Sequence, residues 1–452
     1  MEAFFKLRER RTTVGMELGA GLTTFMVMAY IIFVNPSILS SAGVPFGPAL
    51  VATCVVAGIM SIAMGLFTNY PYALAPGMGI NSALVALVVS RPELGLTWQE
   101  GMGVIFLEGL LITILVLTGL REAIMDAIPM SLKRAISVGI GMFILFIGLN
   151  NAGFIKSGIG TLTALGTYDS MPILVSAVGL LLTILLMARK VKGALLWGIL
   201  GTTVFAMVLR AVTGNPVSVV ESAAVLPSTI VSAPSFETFG AGLNFGAIGK
   251  LGIISAILTV FSFMLSDFFD TMGTVVGIGS QGGWVDEKTG TMPRLREVLL
   301  VDSVAAMAGG LVGASSATTY IESAAGVEEG GRTGLTSVVV GILFLLCVFI
   351  SPLAGVVPQE ATAAALIVVG FLMVQQIKDI PFGTIEDGLP ALFTIMMMPF
   401  SWAITNGIAW GFVAYVFLKL VLGKAREVSG LLWITSLAFV LYLILPAIEK
   451  LV

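Results

Sequence analysis

Apolar runs of membrane length recur from Val14 almost to the last residue, separated by short polar breaks. A helix needs about 20 apolar residues to cross a bilayer, with a range of roughly 17 to 25. On that criterion the pattern predicts 14 spans, near residues 14–34, 49–67, 72–89, 102–120, 135–153, 172–188, 194–212, 251–279, 298–314, 316–326, 334–352, 362–377, 389–421 and 430–447. The longest polar break runs from Thr213 to about Gly249 and carries Pro216, Pro227 and Pro234 in a Ser/Thr/Val mixture. It reads as an extramembrane connector, 213–249, between halves 1–212 and 250–452. The expected fold class is therefore an all-α polytopic membrane protein.

The halves echo each other in order. Lys190-Val191-Lys192-Gly193-Ala194-Leu195-Leu196-Trp197 before span 7 matches Arg426-Glu427-Val428-Ser429-Gly430-Leu431-Leu432-Trp433 before span 14, an offset of 236 in the numbering. Seven is odd, so a repeat of seven spans must enter the membrane with opposite orientation, which gives 7+7 inverted repeats. In such folds the substrate site lies near the midplane, marked by a Gly/Pro-interrupted or short segment at matching positions in each half. Span 3 is interrupted by Ala75-Pro76-Gly77-Met78-Gly79-Ile80-Asn81. Proline removes a backbone donor and glycine tolerates unusual dihedrals, so this stretch suits a continuous helix poorly. Span 10 begins Ser315-Ser316-Ala317-Thr318-Thr319-Tyr320-Ile321 before Glu322, and its hydroxyl and β-branched residues predict an extended stretch ahead of a helix. Asn81 and Glu322 stand 241 positions apart, close to the repeat offset. Two half-helix N-termini, with their free N–H groups, are thus expected to face one central pocket.

Composition narrows the class further. Of 452 residues, 57% are hydrophobic and 11% charged, with a mean hydropathy of +1.04. Soluble domains carry about 25% charged residues, so 23 basic and 26 acidic side chains cannot coat a water-exposed surface of this length. A soluble enzyme is excluded. The cluster Lys6, Arg8, Arg10 and Arg11 precedes an apolar run that lacks a small-residue cleavage pattern, so the first span is expected to remain as a start helix. Placing the N-terminus in the cytoplasm puts 16 basic residues inside and 7 outside, which favours that orientation. The outside cluster Lys419, Lys424 and Arg426 is the exception, and it marks 389–421 as the weak point of the topology.

Cys54 and Cys347 lie in separate apolar runs, far from any ligand-like spacing, so neither a disulfide framework nor a metal site is expected. There is no histidine, and proton chemistry must use Asp, Glu, Tyr, Lys or water. Carboxylates inside a span cost roughly 2.5 to 3.5 kcal/mol on insertion scales and are functional candidates by default. Asp267 and Asp270 share one face of span 8 through their i,i+3 spacing. Asp302 lies in span 9, Glu322 opens the helical part of span 10, and Glu108 lies mid-way along span 4, where a structural role is expected. No Lys or Arg lies deep in a span to neutralise them. Tyr30, 240 positions before Asp270, is expected opposite that acid, and Phe261, Phe268, Phe269 and Tyr320 are aromatics able to stack on a flat ring. Carboxylate acceptors, an Asn amide and aromatic faces suit a planar, neutral, N–H-bearing heterocycle rather than an anion.

These motifs resemble a known family. Gly19-Ala20-Gly21-Leu22-Thr23-Thr24-Phe25 through Met28-Ala29-Tyr30 to Val34-Asn35-Pro36, the span 3 interruption, Asp267-Phe268-Phe269-Asp270-Thr271-Met272-Gly273-Thr274, and Tyr320-Ile321-Glu322-Ser323-Ala324-Ala325-Gly326-Val327 with Gly330-Gly331-Arg332-Thr333-Gly334 resemble the AzgA-like branch of the nucleobase:cation symporter-2 family. The likeness covers nearly the whole chain. It implies proton-driven uptake of adenine, guanine or hypoxanthine, with a core of spans 1–4 and 8–11 moving against a gate of spans 5–7 and 12–14, in a dimer held in the plasma (inner) membrane. It also implies that Asp270 and Glu322 hold the base, that Asn81 shapes the pocket, and that Asp267, Asp302 and Thr271 support coupling or the hydrogen-bond network. Pro76, Gly77, Gly79, Ser316, Thr318 and Thr319 would form the two breaks. The xanthine and uracil branches carry Asn-any-Gly after the span 10 acid, whereas Ser323-Ala324-Ala325-Gly326 stands here and favours the purine branch. Ser82-Ala83 follows Asn81 where an aromatic would be expected, which leaves the choice of purine open.

The expected function is a proton-coupled purine nucleobase permease working by elevator-like alternating access, with no cofactor and no nucleic-acid partner. Carboxylates serve sodium as well as protons, so the coupling ion stays open. The alternatives are a same-fold anion carrier of the sulfate or bicarbonate type, which would want basic residues at the half-helix tips, and a xanthine or uracil permease. A channel would show polar stripes along several spans and a membrane enzyme a nucleophile or metal constellation, and neither pattern occurs.

Overall fold

Thr13 ends the polar N-terminal segment by accepting the Met16 N–H, and the apolar run behind it forms the first long helical stretch. The structure is a computed structural model that describes residues 2–89, 92–119, 128–158, 161, 163–166, 168–220, 223–227, 229–285 and 292–449. A short α1 (Glu2–Phe5) precedes α2 (Val14–Met28) and α3 (Ile31–Ser40), and the chain bends between these two at Ala29 and Tyr30. α4 (Phe46–Thr68) ends at Asn69, whose φ of 56° is the left-handed conformation that Asn tolerates at a helix C-terminus. Extended β1 (Leu74–Pro76) leads into α5 (Met78–Val89). α6 (Trp98–Thr118) starts in a reciprocal cap, the Thr97 side chain accepting from the Glu100 N–H and the Glu100 side chain from the Thr97 N–H. α7 (Met130–Asn151), a β2–β3 hairpin (Ile155–Lys156 with Ala164–Leu165), α8 (Met171–Ala188) and α9 (Ala194–Thr213) complete the first half.

The second half runs α10 (Ile253–Gln281), α11 (Leu295–Val312), β4 (Ala317–Thr319), α12 (Ser323–Glu328), α13 (Gly334–Cys347), α14 (Gln359–Val374), α15 (Ile385–Ser401), α16 (Ile404–Val421) and α17 (Gly430–Glu449). Among the described residues nine helical stretches are long and apolar enough to cross a membrane, and Met78–Val89, Gly334–Ile350 and Gly430–Ile444 are shorter apolar helices. The protein is thus a helical membrane protein. Arg91, Arg121, Lys288 and Lys450, which entered the charge count, lie outside the described residues.

One predicted span needs correction. The run 389–421 is not a single crossing but α15 and α16, divided at Trp402, whose φ of 51° ends α15 in the left-handed conformation. The two helices pack side by side. Lys419 Nζ, at the end of α16, lies 2.8 Å from Glu386 Oε2 at the start of α15, and Lys424 pairs with the same carboxylate. The chain therefore returns to the side it left. The basic cluster that looked misplaced stands beside the entry of the hairpin, and a single 33-residue window concealed the turn because apolar side chains continue on both sides of it.

Small residues set the closest helix crossings. In a bilayer, helices gain little from hiding apolar surface and instead associate through close packing, which small residues permit. Where α4 crosses α13, a methyl added to Gly58 would come within 2.9 Å of the Gly341 carbonyl oxygen, and Gly65 and Gly334 abut in the same way. Where α7 crosses α14, a methyl on Gly370 would come within 2.7 Å of the Gly141 carbonyl oxygen. α6 packs on α11 in turn. Glu17 of α2, fully buried, caps α13 by accepting from the N–H groups of Arg332 (2.9 Å), Thr333 (3.3 Å) and Thr336 (3.2 Å) and from the Thr336 hydroxyl (2.6 Å). An anionic acceptor at a helix N-terminus satisfies orphan donors and complements the dipole. The connector holds no helix or strand among its described residues between 214 and 240. It is fastened by Val219 N–H to Glu360 (2.9 Å), Ser232 N–H to Phe349 O (3.1 Å) and Gly240 N–H to Leu311 O (2.8 Å).

Candidate functional site

The two interrupted segments meet. β1 and β4 pair antiparallel, with Leu74 opposite Thr319, Ala75 opposite Thr318 and Pro76 opposite Ala317. Pairing resolves a physical difficulty, because extended backbone inside a membrane must find its hydrogen bonds within the protein. The Gly77 N–H donates to Ser316 O (2.8 Å) and the Tyr320 N–H to Ala73 O (2.9 Å), which closes both ends of the ribbon. A methyl on Gly77 would meet Thr318 Cγ2 at 3.1 Å, so glycine permits this approach. From the ribbon α5 and α12 lead away as the two half-helices.

A cavity of about 90 Å³ lies where the half-helices begin, and it brings together Tyr30, Gly77, Gly79, Asp270, Tyr320 and Glu322. The Tyr30 hydroxyl donates to Glu322 Oε1 at 2.7 Å. The bend between α2 and α3 carries this ring inward, and Tyr30 is fully buried. Tyr320 lines the cavity while its hydroxyl donates to the Pro76 carbonyl, so one aromatic ring is fixed across the ribbon. Asp270 and Glu322 are half-buried, one from α10 and the other at the head of α12.

Other sequence candidates lie behind this cavity rather than on it. Asp302 of α11 ties β4 down, accepting from the Thr319 N–H (2.7 Å), the Thr319 hydroxyl (2.8 Å) and the Thr271 hydroxyl (2.6 Å). Thr271 and Thr318 also share a hydrogen bond of 2.7 Å. Asn81 is fully buried, and its amide donates to Asn35 Oδ1, while Asn35 donates to Thr53 Oγ1 (2.7 Å) and Ala314 O (3.0 Å). Asn81 therefore anchors the first turn of α5 to α3. Asp267, 1% exposed, lies one turn before Asp270 and faces Glu108 of α6, which also neighbours Ser316. Glu108 thus joins the acids from which its sequence context had set it apart. Phe268 is buried in the main apolar core and Phe261 packs against that core. The Phe269 side chain lies outside the described residues.

The cavity has further walls that the sequence did not single out. Thr274 and Ile321 line it, and Val369 and Met373 close it from α14. Val369 and Met373 are apolar residues on an apolar helix and carry no signal in the sequence; only their i,i+4 spacing shows that they share a face. A methyl on Gly79 would come within 2.7 Å of Ile140 Cγ2 on α7, so the head of α5 also rests on that helix.

Residues 15–436 match a family model described as a permease family (Xan_ur_permease). The chain belongs to the nucleobase:cation symporter-2 permease family. It is 42% identical over 445 residues to the adenine permease AdeP of Escherichia coli (strain K12), covering 98% of this chain and 96% of that one. It is 38% identical over 441 residues to the guanine/hypoxanthine permease PbuO of Bacillus subtilis (strain 168), covering 97% and 99%. Among solved structures, the transmembrane domain of the cyanobacterial bicarbonate transporter BicA aligns with a TM-score of 0.62 at 16% identity, covering 89% of this chain and 97% of that domain. That likeness concerns the fold alone. Members of this family are permeases and not enzymes.

Proposed function

We propose that the protein is a proton-coupled importer of purine nucleobases, adenine, guanine or hypoxanthine, that works by elevator-like alternating access. The observation that carries this reading is the pairing of the two interrupted segments around a cavity holding Asp270, Glu322, Tyr30 and Tyr320. Two carboxyl groups can accept ring and exocyclic N–H donors, and the aromatic rings suit a planar base. The names of the relatives, an adenine permease and a guanine/hypoxanthine permease, point the same way. Asp270 and Glu322 would hold the base, and a proton taken up in the acid cluster that includes Asp267 and Asp302 would accompany it.

Alternating access draws support from the cavity's composition and size. Its walls come from α3's entry, α5, α10 and β4 on one side and from α14 on the other. Ligand pockets usually measure about 300 to 1,000 Å³, and at about 90 Å³ this cavity lies well below that range. Loading would require α14 and α7, the gate, to separate from the core. The pairings α4 with α13 and α6 with α11 exchange under a two-fold that relates spans 2 and 9 and spans 4 and 11, in keeping with inverted repeats in the core, while the two crossings within 389–421 give the second half eight spans rather than seven. In the same reading the N-terminus is cytoplasmic, which now places Lys419, Lys424 and Arg426 inside with Lys6, Arg10 and Arg11. The protein would reside in the plasma membrane as a dimer.

An anion carrier is the second reading because a bicarbonate transporter shares the fold. The cavity's described lining holds two carboxyl groups and neither Lys nor Arg, which disfavours an anion. Uptake of radiolabelled adenine, guanine, hypoxanthine, xanthine and uracil into permease-deficient cells, with and without a protonophore, tests the proposal. Purine uptake abolished by the protonophore is expected. Uptake that follows a sodium gradient instead would replace the coupling ion, and absence of purine uptake would overturn the substrate. Glu322→Gln and Asp270→Asn are each expected to abolish uptake while the protein remains in the membrane.

A further inference from the structure

At one end of the core, where α1, the C-terminus of α4 and the N-terminus of α11 meet, a second cavity of about 380 Å³ opens. It shares no lining residue with the substrate cavity. Lys6, Arg10 and Arg294 line it together with one carboxylate, Glu9. Three cations against one anion leave the well positive. Both guanidinium groups are held in place before any ligand arrives. Arg10 lies 4.8 Å over the Tyr70 ring and donates to Arg332 O (3.3 Å), while Arg294 donates to Thr68 O (3.4 Å) at the end of α4. Each guanidinium offers five N–H donors, and these bonds occupy one nitrogen of each. Lys6 pairs with Glu9 at 3.3 Å on the open side, where both are exposed.

The rim has the opposite character. Phe4, Leu66 and Phe67 are 58%, 44% and 71% exposed. Leu66 and Phe67 belong to the last turn of α4, a helix long and apolar enough to cross a membrane, so they stand at the level where hydrocarbon gives way to headgroups. A cationic well behind an apolar rim matches an amphiphile whose head is an anion. We propose that this cavity binds the phosphodiester headgroup of an anionic phospholipid, with its acyl chains passing over Leu66 and Phe67. A volume of 380 Å³ lies within the usual range for small-molecule sites. Arginine and lysine are the side chains suited to phosphate, the first by bidentate hydrogen bonding and the second as a point charge. A free phosphate has the same anionic chemistry but would leave the rim unused. Because α4 and α11 both pack against the substrate ribbon, a bound lipid would attach to the core alone.

Titration of the full-length protein in neutral detergent, followed by native mass spectrometry, separates the sources. The probes are phosphatidylglycerol, phosphatidylcholine of the same chains, glycerophosphoglycerol and inorganic phosphate. Phosphatidylglycerol is expected to bind at least about tenfold more tightly than each of the other three, a difference of about 1.4 kcal/mol. The double variant Lys6→Gln/Arg294→Gln is expected to lose the preference over phosphatidylcholine, and Phe67→Ser to weaken the binding of phosphatidylglycerol while leaving that of glycerophosphoglycerol and inorganic phosphate unchanged. Equal binding of the two lipids by the unaltered protein would overturn the proposal without recourse to any variant. So would an unchanged preference in the double variant, or phosphate or the chain-free headgroup binding as tightly as the lipid.

Discussion

Tyr30 and Glu322 stand 292 positions apart in the chain and meet through a single hydrogen bond of 2.7 Å. A hydrogen bond to a charged group contributes about 1.5 to 3 kcal/mol, which corresponds to roughly tenfold to more than a hundredfold in an equilibrium. Tyr30→Phe keeps the ring and removes the hydroxyl. On the proposed function it is expected to lower kcat/KM for purine uptake at least about tenfold with the protein still at its normal level in the membrane. Unchanged kinetics would show that the Tyr30 hydroxyl does not hold the Glu322 carboxyl for substrate. The sequence pointed to this residue through its distance from Asp270, but the structure gives it Glu322 as its hydrogen-bond partner. Asn81 shows the limit of such reasoning. A polar side chain following a helix break is as well suited to bracing the break as to lining the pocket, and only the position of Asn35, 46 residues away, distinguishes the two.

At the scale of elements, local signals were legible wherever a residue type forces the backbone. Pro76 with Gly77, and the hydroxyl-rich run from Ser315 to Thr319, announced two extended stretches, and they pair as β1 and β4. The turn at Trp402 showed only indirectly, through the basic cluster that follows it, because a non-glycine residue in the left-handed conformation leaves no mark of its own in an apolar run. Glu17 was passed over for a related reason. It sits near the start of the first span and resembles any helix-end acid, yet it supplies the cap of a helix that begins 317 positions later, at Gly334. Glu17→Ala would leave the N–H groups of Arg332, Thr333 and Thr336 without that acceptor inside the protein. With unsatisfied buried donors costing about 1 to 3 kcal/mol each, the core is expected to lose at least about 2 kcal/mol. Thermal unfolding of the purified protein should show a clearly lowered midpoint, while Glu17→Gln, which retains an acceptor oxygen, should lose less. Equal stability of all three would remove the cap from the account.

Across the whole molecule, the decisive question is whether core and gate move against each other. Composition and span pattern announced a membrane transporter, but they could not show which helices close the pocket, because α7 and α14 approach it with ordinary apolar side chains. The closest approach gives a direct handle. A Cβ built on Gly79, at the head of α5, lies 4.0 Å from Ile140 Cβ on α7, within the 3.5 to 4.5 Å that a disulfide spans between its Cβ atoms. Exchanging isoleucine for cysteine also removes the branched Cγ2 that would otherwise crowd the new side chain. The variant Gly79→Cys/Ile140→Cys, made after replacing Cys54 and Cys347 by serine, is expected to take up purine when reduced and to stop when oxidised, with recovery on adding a thiol. Ile140→Cys alone, which cannot form the bridge and leaves Gly79 in place, should transport equally under both conditions. If the oxidised double variant is cross-linked at high yield and still transports, α5 does not leave α7 during the cycle, and the elevator reading fails. If it binds purine from one side of the membrane only, the side that remains accessible identifies the direction in which this conformation faces.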